Sequence, residues 1–221
     1  MIEASEVMIG GNGDRSRLEN ELQANVRRYQ EAAGPLLAEL ADAGFQVRVV
    51  GDLRHWKGSY RRAVPILLKW LPLVEYEPLK DDIIHTLSTG YAKRLAAPAL
   101  ISEFKRSVSW NTKWAIGQAL MYVADDSVFD DIAELVRDKQ HGRGREMLTW
   151  ALGKMKNARA VDILIELLDD EDVAGHAIRP LGKLRAMKAR SKIERFLTHQ
   201  RQWIRREARL ALKRIDEAAR E

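Results

Sequence analysis

Histidine, a common ligand for transition metals, occurs five times in this chain of 221 residues. The five positions are scattered far apart along the chain, and none has a second histidine four positions later or a neighbouring glutamate: His55, His85, His141, His176 and His199. A metal centre needs converging donors, and their usual signature is close spacing. The sequence therefore predicts no metal site, and His176 is expected to be a packing or surface residue.

Other catalytic signatures are also missing. The chain has no cysteine, which excludes thiolate nucleophiles, thiolate metal ligands and disulfides. It has no Gly-x-Ser-x-Gly sequence, and Gly10-Gly11-Asn12-Gly13 does not follow a predicted strand as a dinucleotide fingerprint would. Gly117, Gly153 and Gly182 lie within predicted helices, where close helix packing explains them. We predict no catalytic residues and no cofactor, and a binding role is favoured over an enzymatic one.

Cations and aromatic rings remain as the residues that could recognise a partner. Lysine and arginine number 37 against 32 acidic residues, for a net charge of +5, and there are six tryptophans. Hydrophobic residues make up 46%, which is typical of a folded globular chain. No apolar run is long enough to cross a bilayer, and the N-terminal segment 1–15 lacks the apolar core of a signal peptide. These features predict a cytoplasmic protein with no membrane contact.

An internal repeat positions these residues. Five segments begin with Ala or Val, are apolar at their fifth and eighth positions, and recur at a nearly constant interval: 63–71, 97–105, 128–136, 160–168 and 189–197. A second motif alternates with them, at 85–88, 118–121, 150–153, 179–182 and 210–213. Both halves show the periodicity of an amphipathic helix, so the unit is a helix pair repeated about five times.

One helix pair cannot bury its apolar stripe alone, so neighbouring pairs must stack. The predicted fold is all-α, an α-solenoid of about five helix pairs with an N-terminal helical cap. Residues 1–15 are predicted to be mobile, and residues 16–221 to form one domain, with the cap at 16–59 and the repeats at 60–221. Within the cap, Gly34-Pro35 divides two predicted helices (16–33 and 36–43), and residues 45–50 form an irregular linker. Ser127 and Asp130 are expected to form a capping box.

The runs Ala160-Val161-Asp162-Ile163-Leu164 and Trp150-Ala151-Leu152-Gly153-Lys154 resemble short HEAT-like repeats of the phycobilin-lyase type. The likeness extends over about residues 60–218 and implies that the second helix of each pair lines a concave face. Alignment of the second helices gives three columns, namely Lys113/Arg145/Ala174/Arg205, Gln118/Trp150/Arg179/Leu210 and Tyr122/Lys154/Lys183/Arg214. The concave face is therefore predicted to be basic. The first helices carry Glu103, Glu134 and Glu166, which predicts an outer face that is acidic in its middle.

The predicted function is a non-catalytic scaffold or adaptor that holds a protein partner on the concave face, and an acidic segment is the kind of partner that a basic face would suit. The residues expected to contact it are Lys113, Gln118, Arg145, Trp150, Arg179, Lys183 and Arg205.

The alternative is nucleic-acid binding or the repair of alkylated bases. The alkylpurine DNA glycosylases are a HEAT-like family of similar size that uses tryptophans and an aspartate on a basic concave surface. Residues of those types are Trp110, Trp114, Trp150, Asp125, Asp126, Lys113, Arg145, Arg205 and Arg209. Residues 183–221 alone carry a net charge of +8, which argues against a duplex footprint along the whole face. Handling of a chromophore or cofactor is a third option, implied only by the likeness to phycobilin lyases.

Overall fold

The structure is a computed structural model that describes residues 11–220, with side chains from residue 14 onward. This range contains eleven α-helices and no β-strand. They are α1 (Gly11–Asp42), α2 (Val64–Trp70), α3 (Glu77–Leu87), α4 (Ala97–Arg106), α5 (Trp110–Val123), α6 (Phe129–Arg137), α7 (Glu146–Leu152), α8 (Arg159–Glu166), α9 (Ala174–Lys183), α10 (Arg190–Glu194) and α11 (Gln202–Ala218). Short 3₁₀ turns join many of them.

The predicted α-solenoid of five helix pairs is confirmed. The pairs are α2/α3, α4/α5, α6/α7, α8/α9 and α10/α11, and the second helices α5, α7, α9 and α11 stack against one another in chain order. Each contributes a buried leucine at the same position of the repeat: Leu120, Leu152, Leu181 and Leu212. The apolar stripes of neighbouring pairs thus form one continuous core.

Glycines let the second helices approach closely, as predicted. A Cβ atom added to Gly117 would lie 2.8 Å from Met147 Cβ, and one added to Gly153 would lie 2.5 Å from Pro180 Cβ. At Gly182 the added atom would lie 2.6 Å from Ala211 Cα. These separations are too short for a side chain, so the helix-to-helix contact itself requires glycine.

The predicted break at Pro35 is wrong, because α1 is one helix that includes this proline. Proline removes one backbone hydrogen bond, but Ala33, Leu36 and Leu40 lie on the same stripe and are fully buried. The free energy gained by their burial exceeds the cost of the lost hydrogen bond, so the residues before and after Pro35 form one helix. Residues 1–10 of the segment predicted to be mobile lie outside the described residues, and residues 11–15 belong to α1.

The linker that follows α1 is irregular, as predicted, since residues 45–49 form neither helix nor strand.

The predicted capping box at Ser127 is wrong. Asp125 is the capping residue instead, and its Oδ1 accepts hydrogen bonds from the Ser127 amide at 3.0 Å and the Ser127 hydroxyl at 2.5 Å.

Among the described helices, none has both the length and the apolar character needed to cross a bilayer.

Candidate binding surface

The first helices carry several acidic residues that form ion pairs across repeats. Acidic residues here lie beside a cation from a neighbouring repeat: Glu134 with Lys105 (4.0 Å), Glu166 with Arg137 (2.8 Å), Asp130 with Arg159 (2.7 Å) and Asp162 with Lys188 (3.5 Å). Glu103 is buried and pairs with Lys80 at 2.6 Å. On the outer face, which the sequence predicts to be acidic in its middle, these ion pairs therefore connect successive repeats.

The opposite surface differs in charge and in composition. We call it the second-helix face, and it consists of Gln118, Tyr122, Trp150, Lys154, Arg179, Lys183, Leu210 and Arg214. Helices α5 and α9 contain no acidic residue, and Glu146 of α7 is only 4% exposed. In α11, Glu207 is buried, and Asp216 and Glu217 pair with Arg190 and Lys213. Among the described residues, no carboxylate forms an ion pair with any of the four cations of this face. Their charge remains available to a partner.

Aromatic rings on this face lie beside cations from the next repeat. Lys154 Nζ lies 4.8 Å from the centre of the Tyr122 ring, and Arg179 Cζ lies 4.6 Å from the centre of the Trp150 ring. Trp150 Nε1 donates a hydrogen bond of 3.1 Å to the His176 carbonyl, which fixes the indole against α9. Cation–π contacts of this kind contribute about 0.5–1 kcal/mol at exposed sites. They order the side chains without neutralising their charge.

A shallow depression lies among these side chains, with Met121, Gly153 and Pro180 contributing to its lining. Its volume is about 30 Å³, whereas pockets that enclose small organic ligands usually measure about 300–1,000 Å³. The second-helix face is therefore suited to a segment that lies along it and not to an enclosed small molecule.

Two predicted contact residues, Lys113 and Arg145, are not available to a partner. Lys113 is 8% exposed, and its Nζ lies 2.9 Å from His141 Nδ1. Arg145 is fully buried and donates hydrogen bonds to Asp170 Oδ2 (2.8 Å) and to the Val136 carbonyl (3.0 Å). Both side chains reach into the loop of the next repeat. The prediction that they bind a partner is wrong, because the interior between repeats already uses their charge.

The pKa values of these buried groups follow their surroundings. Burial lowers the pKa of the Lys113 ammonium, and burial together with the adjacent Lys113 charge lowers the pKa of His141. Burial alone would raise the pKa of Asp170, but the hydrogen bond and charge of Arg145 outweigh it, so the pKa of Asp170 is lowered. The imidazole of His141 is thus held neutral and accepts at Nδ1, since an ammonium can only donate.

Arg205 lies in the same aligned column as Lys113 and Arg145, and its side chain is half-buried. Its Nη1 donates to the carbonyls of His199 (2.7 Å) and Gln200 (2.8 Å), which ties α11 to the loop before it. The remaining position of this column is occupied by Ala174, which is uncharged. Beside Ala174 a cleft of about 760 Å³ opens between the loops of the fourth and fifth helix pairs. The long side chains of this column therefore join neighbouring loops and do not form a binding surface.

The residue set of the nucleic-acid alternative is not brought together. Trp110 and Trp114 lie in the first turns of α5, whereas Asp125 and Asp126 follow its last turn. At 1.5 Å of rise per residue, Trp110 is about 20 Å from the end of the helix near the aspartates. Asp125 binds Arg94 Nε at 2.7 Å, and hydrogen bonds from Ser127 lower its pKa.

Asp126 has a structural partner as well, since its Oδ1 accepts from the Lys156 amide at 2.9 Å. Trp110 is exposed and lies beside Arg143, whose Cζ is 5.4 Å from the ring centre. Arg209 is exposed on α11. No tryptophan–aspartate site for excising a base is therefore formed by these residues.

Of the predicted protein-binding set, Trp150, Arg179 and Lys183 line one depression, and Gln118 lies one turn before Tyr122 on α5. Tyr122, Lys154 and Arg214 form one aligned column of the second helices and also belong to this face, although the predicted contact set does not include them. The repeat spacing could have identified them, because it places an aromatic ring one repeat before a cation. Met121 and Pro180 could not be identified in this way, because apolar residues in helices are expected to lie in the core.

Comparison with known proteins agrees with the architecture. A family model described as HEAT repeats matches residues 97–174, about a third of the chain, from α4 into the start of α9. The fold and this match define an α-solenoid of the repeat-protein class. Within residues 97–174 the chain is similar to HEAT repeats, which commonly serve as protein-interaction scaffolds. A search of curated proteins found no match.

Proposed function

We propose that this protein is a non-catalytic scaffold or adaptor that binds a protein partner on its second-helix face, with the cytoplasm as its location. The observation that carries the proposal is the contrast between its two faces. On the outer face formed by the first helices, which we call the first-helix face, Asp130, Glu134, Asp162 and Glu166 are paired across repeats. On the second-helix face Lys154, Arg179 and Lys183 form no ion pair with a described residue, and Lys154 and Arg179 lie beside aromatic rings.

This composition favours an acidic partner segment. Tyrosine, tryptophan and arginine dominate the binding energy of many protein interfaces, because they bury large rigid surfaces and still form polar contacts. Unpaired cations accelerate association with an acidic partner and select against basic ones. Phosphates share the charge of carboxylates, so nucleic acid is the competing partner that an experiment must distinguish.

Site-specific photo-cross-linking in nuclease-treated lysate of the source organism tests the proposal. Tyr122 is replaced by p-benzoylphenylalanine to report on the second-helix face, and Glu134, which is exposed on the first-helix face, receives the same residue as a control. We expect a defined protein adduct from position 122 and none at position 134.

A second comparison ties the adduct to the cations. The substitutions Lys154→Glu, Arg179→Glu and Lys183→Glu should abolish the adduct. A matched variant that reverses Lys57, Arg62 and Lys139, which are exposed elsewhere, should retain it. An adduct that forms only from position 134, or only with nucleic acid when nuclease is omitted, would contradict the proposal.

A further inference from the structure

The cations of the second-helix face recur with the helices that carry them. Lys154 lies two residues beyond the end of α7, Lys183 ends α9 and Arg214 lies in α11, so each is separated from the next by one repeat. Lys154 and Lys183 are exposed, and Arg214 is half-buried. A partner segment that follows this column across the stacked helices therefore meets one of these three cations per repeat.

Helix packing sets the distance between these cations. Gly153 contacts Pro180, and Gly182 contacts Ala211, so α7, α9 and α11 pack closely. Packed helices have axes about 8–10 Å apart. A partner must therefore present acidic groups at that interval along one side.

A polyproline II segment meets this requirement. It has three residues per turn and rises about 3.1 Å per residue, so every third side chain points the same way at about 9 Å. In a β-strand, by contrast, the third residue points to the opposite side. An amphipathic helix would need an apolar groove, and here the depression measures only about 30 Å³.

The aromatic rings add a second feature that fits this conformation. Proline-rich segments dock on surfaces lined by aromatic side chains. Tyr122 is 51% exposed, and the Trp150 ring is partly exposed and held in place by its bond to the His176 carbonyl. Residues between the acidic positions could therefore lie against these rings.

We propose that the partner segment is an acidic peptide in the polyproline II conformation, with a carboxylate at every third residue paired in turn with Lys154, Lys183 and Arg214. This inference rests on the proposed function and specifies the chemistry of its partner.

Two synthetic peptides of identical composition and charge test the spacing. One repeats Glu-Pro-Pro four times, and the other places its four glutamates together before eight prolines. Binding of the full chain is measured by fluorescence anisotropy at low salt. We expect the spaced peptide to bind about tenfold more tightly, a difference of about 1.4 kcal/mol. The variant with Lys154→Ala, Lys183→Ala and Arg214→Ala should lose this preference, whereas Lys57→Ala, Arg62→Ala and Lys139→Ala together should keep it.

Each remaining outcome overturns the inference and has a distinct meaning for the proposed function. Equal binding of both peptides, lost in the first variant, would reject the spacing and leave the acid-binding face intact. A peptide with glutamates every seventh residue that bound more tightly would indicate a helical partner. Displacement of the spaced peptide by lower concentrations of a single-stranded oligonucleotide would favour nucleic acid. Binding of neither peptide would reject the inference, and the cross-linking result would then decide on the scaffold.

Discussion

Arg145 shows how burial changes the role of a charged side chain. Its guanidinium is fully buried and bonded to Asp170, which is itself only 11% exposed. We expect Arg145→Ala to lower the free energy of unfolding by about 3–5 kcal/mol, because it leaves a buried carboxylate and carbonyl without their donor. Urea unfolding would measure the loss. Arg159→Ala is the control, since its pair with Asp130 is exposed and such pairs contribute about 0–1 kcal/mol. Equal effects of the two substitutions would contradict the structural role of Arg145.

His141 gives the junction between repeats a dependence on pH. Its folded-state pKa is lowered by burial and by Lys113, so the unfolded chain binds the proton more readily. The free energy of unfolding should be fully retained above the unfolded pKa of about 6.5 and should fall as the pH drops from there toward the folded pKa. His141→Asn keeps an acceptor for Lys113 but does not titrate. Urea unfolding at pH 7.5 and 5.5 should show a smaller decrease for the variant than for the wild type, and identical decreases would reject this role.

At the scale of helices, glycine contacts control stacking. We expect Gly182→Ala to lower the free energy of unfolding by about 1–3 kcal/mol, because the new Cβ would meet Ala211 in the neighbouring backbone. This clash outweighs the gain of about 1 kcal/mol in helix propensity. Gly90→Ala is a suitable control, since no atom lies within 4 Å of its added Cβ. Thermal unfolding would compare the two. A more stable Gly182→Ala protein would show that α9 and α11 are not in close contact.

The helix pairs could be predicted from sequence because the helical period and the regular recurrence of the pair are both visible in one chain. The break predicted at Pro35 is wrong because local propensity favours it, whereas burial of Leu36 and Leu40 keeps the helix continuous. The burial of Lys113 and Arg145 near the starts of their helices could not be predicted. The loop at 138–145 covers Lys113, and the loop at 170–173 covers Arg145. The length and conformation of these loops follow no helical period.

For the whole molecule, the two faces should respond differently to reversal of charge. Arg137→Glu, Arg159→Glu and Lys188→Glu together place like charges against Glu166, Asp130 and Asp162, so the midpoint of thermal unfolding should fall by several degrees. Lys154→Glu, Arg179→Glu and Lys183→Glu break no ion pair between described residues and should change it much less. Equal losses would contradict the division between a paired face and a free one.

Nuclear magnetic resonance of the tryptophan indole groups tests the central claim most directly. Trp150 lies on the second-helix face, whereas Trp70 donates its Nε1 to Glu39 at 2.8 Å where α1 meets α2, outside that face. On titration with an acidic peptide such as poly-glutamate at low salt, we predict a progressive shift of the Trp150 signal and an unchanged Trp70 signal. A shift at Trp70 with no change at Trp150 would show that the second-helix face is not where an acidic partner binds.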